Sequence, residues 1–334
     1  MRFTNKQHQD SIKQTLFFQG DDMPKIIQLK PHTIQEPLIA AMGFFDGIHL
    51  AHQALIQKTI NIGKEKSLKT AIITFDVHPK TVIYGLEYRY ITPFPQKLEM
   101  LKSFPVDYIY VIQFNKHIAQ SDPQNFIDEY LTSIDTLVCG FDFKFGYRGS
   151  GNTELLKKQT RFDTVIIEQM SYENAKIGST HIRDLIEAGY VHQIPSTLGR
   201  FYSIKGPVIH GAKKGRLIGY PTANIDVDHF MVPKTGVYIS KTRYANQWYD
   251  SMTSVGYNPT LNRQKQVSVE SYLFDFDQMI YGETIDTYFI KRLRDEMKFD
   301  DVSSLIKQID HDGEQTKNYL KKHRFPLPFD KTML

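Results

Sequence analysis

The feature that most constrains the fold is an alternation of short apolar runs with helical stretches across residues 38–187. The apolar runs are predicted as strands at 38–44, 70–75, 106–112, 135–140 and 164–170. Helical spacing favours helices at 51–66, 96–104 and 122–131. Strands that alternate with helices in this way predict a parallel sheet with helices on its faces. Ligands of such sheets bind at the carboxyl ends of the strands.

After Ile194 the pattern changes to short alternating runs bounded by Gly, Pro and Asn. Strands at this spacing predict an antiparallel barrel or a sandwich. A helical pattern over residues 300–323 follows them. We therefore predict two domains, an α/β domain at 24–194 and an all-β domain with a terminal helix at 195–325.

Composition and charge narrow the class of protein. The 334 residues carry a formal net charge of +4, spread along the chain, which suits small anionic ligands. No basic stripe with interleaved aromatic residues and no helix-turn-helix pattern is present, so a nucleic-acid partner is not expected. Cys139 is the one cysteine, no apolar run approaches the roughly 20 residues of a membrane helix, and residues 1–14 contain no apolar signal segment. These features predict a cytoplasmic protein without a membrane partner. The oligomeric state is left open.

The segment GFFDGIHLAH follows the first strand and leads into the first helix. Free backbone N–H groups at a helix start attract phosphate, and histidines three residues apart lie on one helical face. The spacing alone leaves two interpretations open, a phosphate site or a surface-exposed helix start. The candidate residues here are Gly43, Phe44, Asp46, Gly47, His49 and His52.

The segment GPVIHGAKKGRLIGYPTANI in the second half joins a glycine-rich basic loop to the sequence PTAN. The GxxxxGK[ST] pattern of a Walker A loop is absent, but accessible amides and positive charge can wrap a polyphosphate. Thr222 and Asn224 offer neutral oxygen ligands of the kind that Mg²⁺ accepts. A simple turn at PTAN is the alternative. The candidate phosphate-binding residues are Gly211, Lys213, Arg216, Gly219 and Pro221.

Four motifs of the first half resemble those of prokaryotic bifunctional riboflavin kinase/FAD synthetases. GFFDGIHLAH resembles the family's GxFDGxHxGH, and TFDVHP (74–79), GFDFKFG (140–146) and IGSTHIR (177–183) follow in the family's order. The resemblance implies a nucleotidyltransferase-type, Rossmann-like parallel sheet. It also implies that His49, His52 and Arg183 are catalytic, contacting ATP phosphates together with Ser179 and Thr180. His78 and Asp142 are predicted to bind flavin, although a rigid strand exit and a loop cap are alternatives.

The second half resembles the family's riboflavin kinase domain through PTAN, SVGYNPT and VSVESYLFDFDQMIYG. The resemblance implies a β-barrel, with Glu270 as the catalytic base that accepts a proton from the flavin ribityl 5′-OH. An exposed strand position is the alternative for Glu270. In FIKRLRDEMKFD, Arg294 and Glu296 are predicted to bind flavin or to pair at a helix start.

The function implied is phosphorylation of riboflavin to FMN with Mg²⁺ and ATP, followed by adenylylation of FMN to FAD. The sequence departs from the family's motifs at Ala51, Val77 and Gly178, where the family has Gly, Pro and Ser. These departures lie at the expected nucleotide site and leave two alternatives. One is a riboflavin kinase with a weak adenylyltransferase, and the other is a non-catalytic flavin or nucleotide sensor.

Overall fold

The computed structural model describes residues 23–173, 175–211, 214–259, 265–323 and 325. In the first half, strands and helices alternate as predicted. The strands are β1 (Lys25–Gln28), β2 (Leu38–Met42), β3 (Lys69–Phe75), β4 (Tyr108–Ile112), β5 (Ile134–Gly140), β6 (Lys144–Phe145), β7 (Gly151–Asn152), β8 (Asp163–Ile167), β9 (Ser171–Tyr172) and β10 (Ala175–Lys176). The helices are α1 (Leu50–Lys66), α2 (Pro79–Tyr84), α3 (Phe94–Leu101), α4 (Lys116–Ala119), α5 (Pro123–Tyr130), α6 (Thr153–Lys157), α7 (Ser179–Ala188) and α8 (Pro195–Leu198).

Six of these strands form one parallel sheet in the order β1-β4-β3-β2-β5-β8. The chain proceeds from β2 to β3 and β4 on one side, and returns to the other side of β2 for β5 and β8. The loops after β2 and β5 therefore diverge at the carboxyl edge, which is where such sheets form a ligand crevice. Apolar clusters lie on both faces of the sheet, as the helices on its two sides require.

Local signals explain where two of the helices begin. Helix α5 begins as predicted, with the Asp122 side chain accepting a hydrogen bond from the Gln124 amide and Pro123 at the first helical position. Helix α3 begins at Phe94, two residues before the predicted start, because Pro93 and Pro95 both suit a first turn. Strand β1 was not predicted, because only one of its four residues is even partly buried.

The second half contains β11 (Tyr202–Ile209), α9 (Lys214–Leu217), β12 (Ala223–Ile225), β13 (Gly236–Tyr244), β14 (Gln247–Pro259), β15 (Lys265–Leu273), β16 (Thr284–Arg294) and α10 (Val302–Lys322). Its six strands close into an antiparallel barrel in the order β11-β12-β15-β14-β13-β16. The barrel is confirmed over the sandwich, and the terminal helix is confirmed with Asp301 as its N-cap. The PTAN segment does not remain a turn, because Ala223 and Asn224 begin β12.

Six hydroxyl groups form a closed hydrogen-bonded ring inside the barrel. Around the ring they follow the order Ser240, Ser251, Thr242, Thr287, Ser271 and Thr253, with oxygen–oxygen distances of 2.7 to 3.2 Å. All six residues have 0% exposure. Each hydroxyl has two partners in the ring, so each can donate once and accept once. The ring therefore satisfies six buried polar groups without water.

The chain divides between Ser179 and Thr180 into two compact units. The predicted domain boundary between residues 194 and 195 stays a prediction. Among the helices of the described residues, none is both long enough and apolar enough to cross a membrane.

We expect Thr242→Val to destabilise the barrel by about 1–3 kcal/mol, because it leaves the hydroxyls of Ser251 and Thr287 each short of a partner. The free energy of unfolding in urea can be followed by fluorescence of Trp248, the single tryptophan, which lies in β14. Thr284→Val at the exposed start of β16 is the matched control, with a change within about 0.5 kcal/mol. Equal stability of the two variants would contradict a structural role for the ring.

Candidate active sites

Three of the predicted motifs follow three adjacent strands of the parallel sheet. GFFDGIH follows β2, the DVHP end of the second motif follows β3, and GFDFKFG follows β5. The carboxyl ends of parallel strands lie at the same edge, so the sheet brings these motifs together. Residues separated by about 100 positions thus line one edge.

The loop after β2 has an unusual backbone. Phe45, Gly47 and Ile48 all have positive φ angles, of 58°, 83° and 44°. Glycine adopts such angles freely, whereas a β-branched residue such as Ile48 does so at an energetic cost. The side chains of Phe45 and Ile48 are fully buried in the core on one face of the sheet. Apolar packing therefore holds the strained loop in place.

His49 and His52 meet at the start of α1. His49 is the N-cap, and its Nδ1 accepts a hydrogen bond from the His52 amide at 3.4 Å. The proton of a neutral His49 ring consequently lies on Nε2, which makes that atom a donor. The two rings stack with their centroids 3.6 Å apart. The buried Nδ1 of His52 has no hydrogen-bond partner within the described parts of the chain.

Burial, and next the nearby His49 and Lys97, hold the pKa of His52 well below its usual value of 6.5. His52 is therefore neutral at pH 7, with one nitrogen that donates and one that accepts.

Ser179 contacts the loop after β2. It is the first residue of α7, and its hydroxyl donates to the Asp46 carbonyl at 2.9 Å. Thr180 and Arg183 follow on the same helix, and Arg183 lies about one turn beyond both. The Asp46 carboxylate is buried and accepts from the Thr92 amide at 3.1 Å. The observed contacts of Asp46 thus support the loop after β2. Its predicted role in ATP binding stays a prediction.

His78 and Phe44 lie in an aromatic cluster. The His78 ring stacks on Tyr88 at 3.8 Å and meets the Phe44 ring edge-on at 4.8 Å, while Tyr90 stacks on Phe44 at 6.2 Å. His78 is also the N-cap of α2, which agrees with a rigid strand exit, and its predicted contact with flavin stays a prediction. A flat aromatic wall of this kind can contact a planar ligand.

Asp142 is exposed and pairs with Lys176, with an Nζ–Oδ2 distance of 2.6 Å. Its predicted contact with flavin stays a prediction.

Lys97 in α3 was not among the predicted site residues. It is 2% exposed, and its Nζ donates to the carbonyls of Phe44 and Phe75 at 3.0 and 2.8 Å. Burial lowers the pKa of Lys97 to about 7, against the opposing effects of Asp46 and Asp76. Lysine is almost never fully buried, so its residue type predicts a surface position and no sequence signal identified it.

The second predicted site lies on the barrel, where β12 pairs with β15. Asn224 stands opposite Glu270 in this pairing, and the Thr222 hydroxyl donates to Glu270 Oε2 at 3.1 Å. Glu270 is half-buried between the buried Val269 and Ser271, which does not match the exposed strand position given as its alternative. The strand pairing thus brings a carboxylate, a hydroxyl and an amide together.

A cavity of about 360 Å³ adjoins these residues. Five predicted residues line it, namely Gly211, Arg216, Pro221, Thr222 and Asn224. A side chain at Gly211 would collide with the Asn224 amide, since a Cβ there would lie 2.4 Å from its atoms. The opposite wall is formed by residues 276–281, which were not predicted as site residues. Gly219 has a φ of 91° and does not line the cavity, and Lys213 lies outside the described residues.

Arg294 does not pair with Glu296 at a helix start, so that alternative is wrong. Arg294 is the last residue of β16, and its guanidinium binds the buried Asp312 of α10 at 2.7 and 2.8 Å. Glu296 is exposed in the following loop, with its carboxylate against the backbone of Gly256. Arg294 therefore fastens the terminal helix to the barrel, and its contact with flavin stays a prediction together with that of Glu296.

Comparisons with known proteins match the two halves of the chain to two different family models. A family model described as FAD synthetase matches residues 32–181, and one described as riboflavin kinase matches residues 198–320. The bifunctional riboflavin kinase/FMN adenylyltransferase of Listeria monocytogenes is 38% identical over 85% of this chain and 93% of its own. The chain belongs to the bifunctional riboflavin kinase/FMN adenylyltransferase family. The resemblance in the motifs is thereby confirmed.

A second family member and one solved structure also match the chain over most of its length. The Bacillus subtilis bifunctional riboflavin kinase/FMN adenylyltransferase is 36% identical over 87% of this chain and 95% of its own. The crystal structure of a macrolide-efflux protein from Streptococcus pneumoniae is 32% identical, with a TM-score of 0.79 over 88% of this chain and 99% of that one. The predicted fold class is confirmed by the two family models and the observed sheets.

One departure from the family motifs can be judged from the structure. A Cβ at Gly178 would lie 3.7 Å from the Lys176 side chain, which is an ordinary contact. The backbone around Gly178 therefore does not require glycine, and serine would fit there.

We expect the His52 ring to stay neutral between pH 8 and pH 6.5, because its pKa in the folded protein is depressed. The unfolded chain would bind a proton near pH 6.5, so acidification below that value should favour unfolding through this group. NMR titration of the ring C–H signals measures this, with His52→Gln to assign the signal and free imidazole as a reference. A His52 midpoint at 6.5 would contradict the burial argument.

Proposed function

We propose that the chain carries both activities of its family. The barrel domain phosphorylates riboflavin with ATP to give FMN and ADP. The domain with the parallel sheet transfers the adenylyl group of a second ATP to FMN, which gives FAD and pyrophosphate. The observation that carries the proposal is the contact between Thr222 and Glu270 at 3.1 Å beside the cavity. We further expect the enzyme to reside in the cytoplasm.

In the kinase reaction, Glu270 accepts the proton of the ribityl 5′-OH as its oxygen attacks the γ-phosphorus of ATP. The bond between the γ-phosphorus and the bridging oxygen breaks, and ADP leaves. The half-buried carboxylate is held by the Thr222 hydroxyl, so one oxygen is oriented by a donor while the other can face substrate. Arg216 at the cavity supplies positive charge for phosphate oxygens.

The residues at this site fit a magnesium ion. Within the described residues no group of three or more His, Cys, Asp or Glu could hold a metal. Mg²⁺, however, commonly binds through few protein oxygens together with substrate phosphates and water. The Thr222 hydroxyl still has lone pairs after donating to Glu270, and the side-chain carbonyl oxygen of Asn224 lies two residues further along the chain, in β12. Thr222 and Asn224 would hold the ion, which supplies charge neutralisation at the phosphates.

In the adenylyl transfer, an oxygen of the FMN phosphate attacks the α-phosphorus of ATP directly, and pyrophosphate leaves. No protein nucleophile is needed, so the protein contributes positioning and stabilisation of charge. The Nε2–H of neutral His49 and the neutral ring of His52 are suitable donors for phosphate oxygens. Ser179, Thr180 and Arg183 are proposed to bind phosphate from the start of α7.

Replacing Glu270 by Gln should lower FMN formation by about 10²–10⁴-fold, because it removes the proton acceptor. Conversion of FMN to FAD by the same variant should stay at the wild-type rate, which shows that the protein is folded. Riboflavin, FMN and FAD are separated by chromatography after incubation with ATP and Mg²⁺. A Gln variant that forms FMN normally would exclude Glu270 as the base.

Replacing His52 by Ala should have the opposite selectivity. FAD formation from FMN should fall by about 10²–10³-fold through loss of a preorganised donor, while FMN formation from riboflavin is retained. If both activities fell together in a folded variant, the assignment of two separate sites would be wrong.

A kinase with a weak adenylyltransferase is the second candidate. Ala51 and Val77 favour it, because both replace family residues beside His52 and His78. The same incubation with and without a reductant decides between the two. FAD in either condition supports the bifunctional enzyme and reports its preferred flavin redox state, whereas FMN alone in both supports the second candidate.

A further inference from the structure

Lys97 is a buried lysine at the carboxyl edge of the parallel sheet, and with a pKa lowered to about 7 it is protonated in part at neutral pH. Its Nζ donates to three oxygens, the Phe44 carbonyl at 3.0 Å, the Phe75 carbonyl at 2.8 Å and the Thr74 hydroxyl at 3.3 Å. The Phe44 ring lies 4.3 Å from the same Nζ. An ammonium group has three N–H donors, and here each has an oxygen partner.

These partners lie where two adjacent strands, β2 and β3, end and their loops begin. Phe44 begins the strained loop after β2 that leads to His49 and His52, and Phe75 is the last residue of β3 before His78. The Thr74 hydroxyl also donates to the Phe44 carbonyl at 3.2 Å. The Lys97 side chain therefore holds the starts of both loops close together, because its hydrogen bonds reach the end of each strand.

The surroundings show that this lysine is not simply one half of an ion pair. The nearby carboxylates of Asp46 and Asp76 are engaged by backbone amides, from Thr92 and from Phe114 at 3.1 and 2.9 Å. No carboxylate oxygen contacts Nζ within the described residues. A buried ammonium held by carbonyls carries a large desolvation cost, and a methionine of similar shape would avoid that cost.

We propose that Lys97 is a positioning residue for adenylyl transfer, which ties the loops of His49, His52 and His78 into one geometry and places a positive charge behind the histidine pair. The inference rests on the proposed adenylyltransferase activity. The charge of Lys97 already affects His52, since it is one of the three causes that depress the pKa of that ring. Lys97 thus acts through the histidines and does not itself contact substrate.

The test compares Lys97→Met with wild type in the full-length protein. Methionine is unbranched and only one heavy atom shorter than lysine, and it removes the donors and the charge. We expect kcat for FAD formation from FMN and ATP to fall about 100-fold, as expected when reacting groups are misplaced by about 1 Å, with the KM for ATP changed less than about threefold. FMN formation from riboflavin in the same sample should be unchanged.

Lys102→Met is the matched control. Lys102 is the half-buried C-cap of α3, five residues from Lys97, so this variant loses the same charge from the same helix without touching the two loops. It should form FAD at the wild-type rate.

The titration of His52 provides a readout that a purely structural role would not move. The groups that act on this ring are His49 and Lys97, with Asp46 and Asp76 close to the lysine. In Lys97→Met the midpoint of His52 ionisation should move to higher pH, and in Lys102→Met it should stay in place.

Wild-type FAD formation in a folded Lys97→Met protein would overturn the proposal. If Lys97→Met does not fold, Thr74→Val is the second variant. It removes one acceptor of Lys97 and one donor to the Phe44 carbonyl at nearly constant volume. An unchanged kcat for FAD formation in Thr74→Val would likewise overturn the proposal. Wild-type protein that forms no FAD would instead refute the proposed adenylyltransferase activity, and the His52 midpoints would then still decide whether Lys97 acts on the histidine pair.

Discussion

The need of every buried polar group for a hydrogen-bond partner shapes both halves of this chain. In the parallel-sheet domain this need is met by Lys97, whose Nζ donates hydrogen bonds to three oxygens at the ends of β2 and β3. In the barrel it is met by six hydroxyls that satisfy one another, and by Arg294, which neutralises the buried Asp312 of α10. Loss of one partner costs more than the bond contributes, because the remaining group stays buried and unpaired.

The two candidate sites use different means to assemble their residues. At the sheet, residues far apart in sequence meet because parallel strands end at one edge, and the switch in strand order at β2 opens that edge. At the barrel, Thr222, Asn224 and Glu270 meet because β12 and β15 are hydrogen-bonded neighbours. The first site depends on loops held by buried side chains, whereas the second depends on strand register. Changes in loop packing should therefore affect the first site more strongly.

The sequence predicted those parts of the fold whose signal is local and periodic. Strands β2 to β5 are apolar over most of their length, and α5 has a proline start with an acidic cap, so both were predictable. Strand β12 has only three residues and follows a proline, which reads as a turn. Its strand character comes from its pairing with β11 and β15, which no local pattern contains.

The same limit applies to the candidate sites. Histidine and PTAN motifs identified the regions, but the partners of individual side chains lie far away in sequence. Asp46 accepts from the Thr92 amide, and Arg294 binds Asp312, which lies 18 residues further along the chain in the terminal helix. Lys97 was missed because lysine is almost never fully buried, so its residue type argued against an interior position. Such partners follow only from the tertiary structure.

The hydroxyl ring of the barrel has a further electrostatic consequence. Six O–H groups that each donate once around a closed ring have only two complete arrangements, with every dipole circulating in one sense or in the other. If one hydroxyl alone reverses, its O–H group points at the O–H group of a neighbour and one hydrogen bond is lost. The six hydroxyls must therefore reorient together. In either sense the dipoles nearly cancel around the ring. Ser271, the chain neighbour of Glu270, therefore reverses its O–H direction only together with the other five hydroxyls.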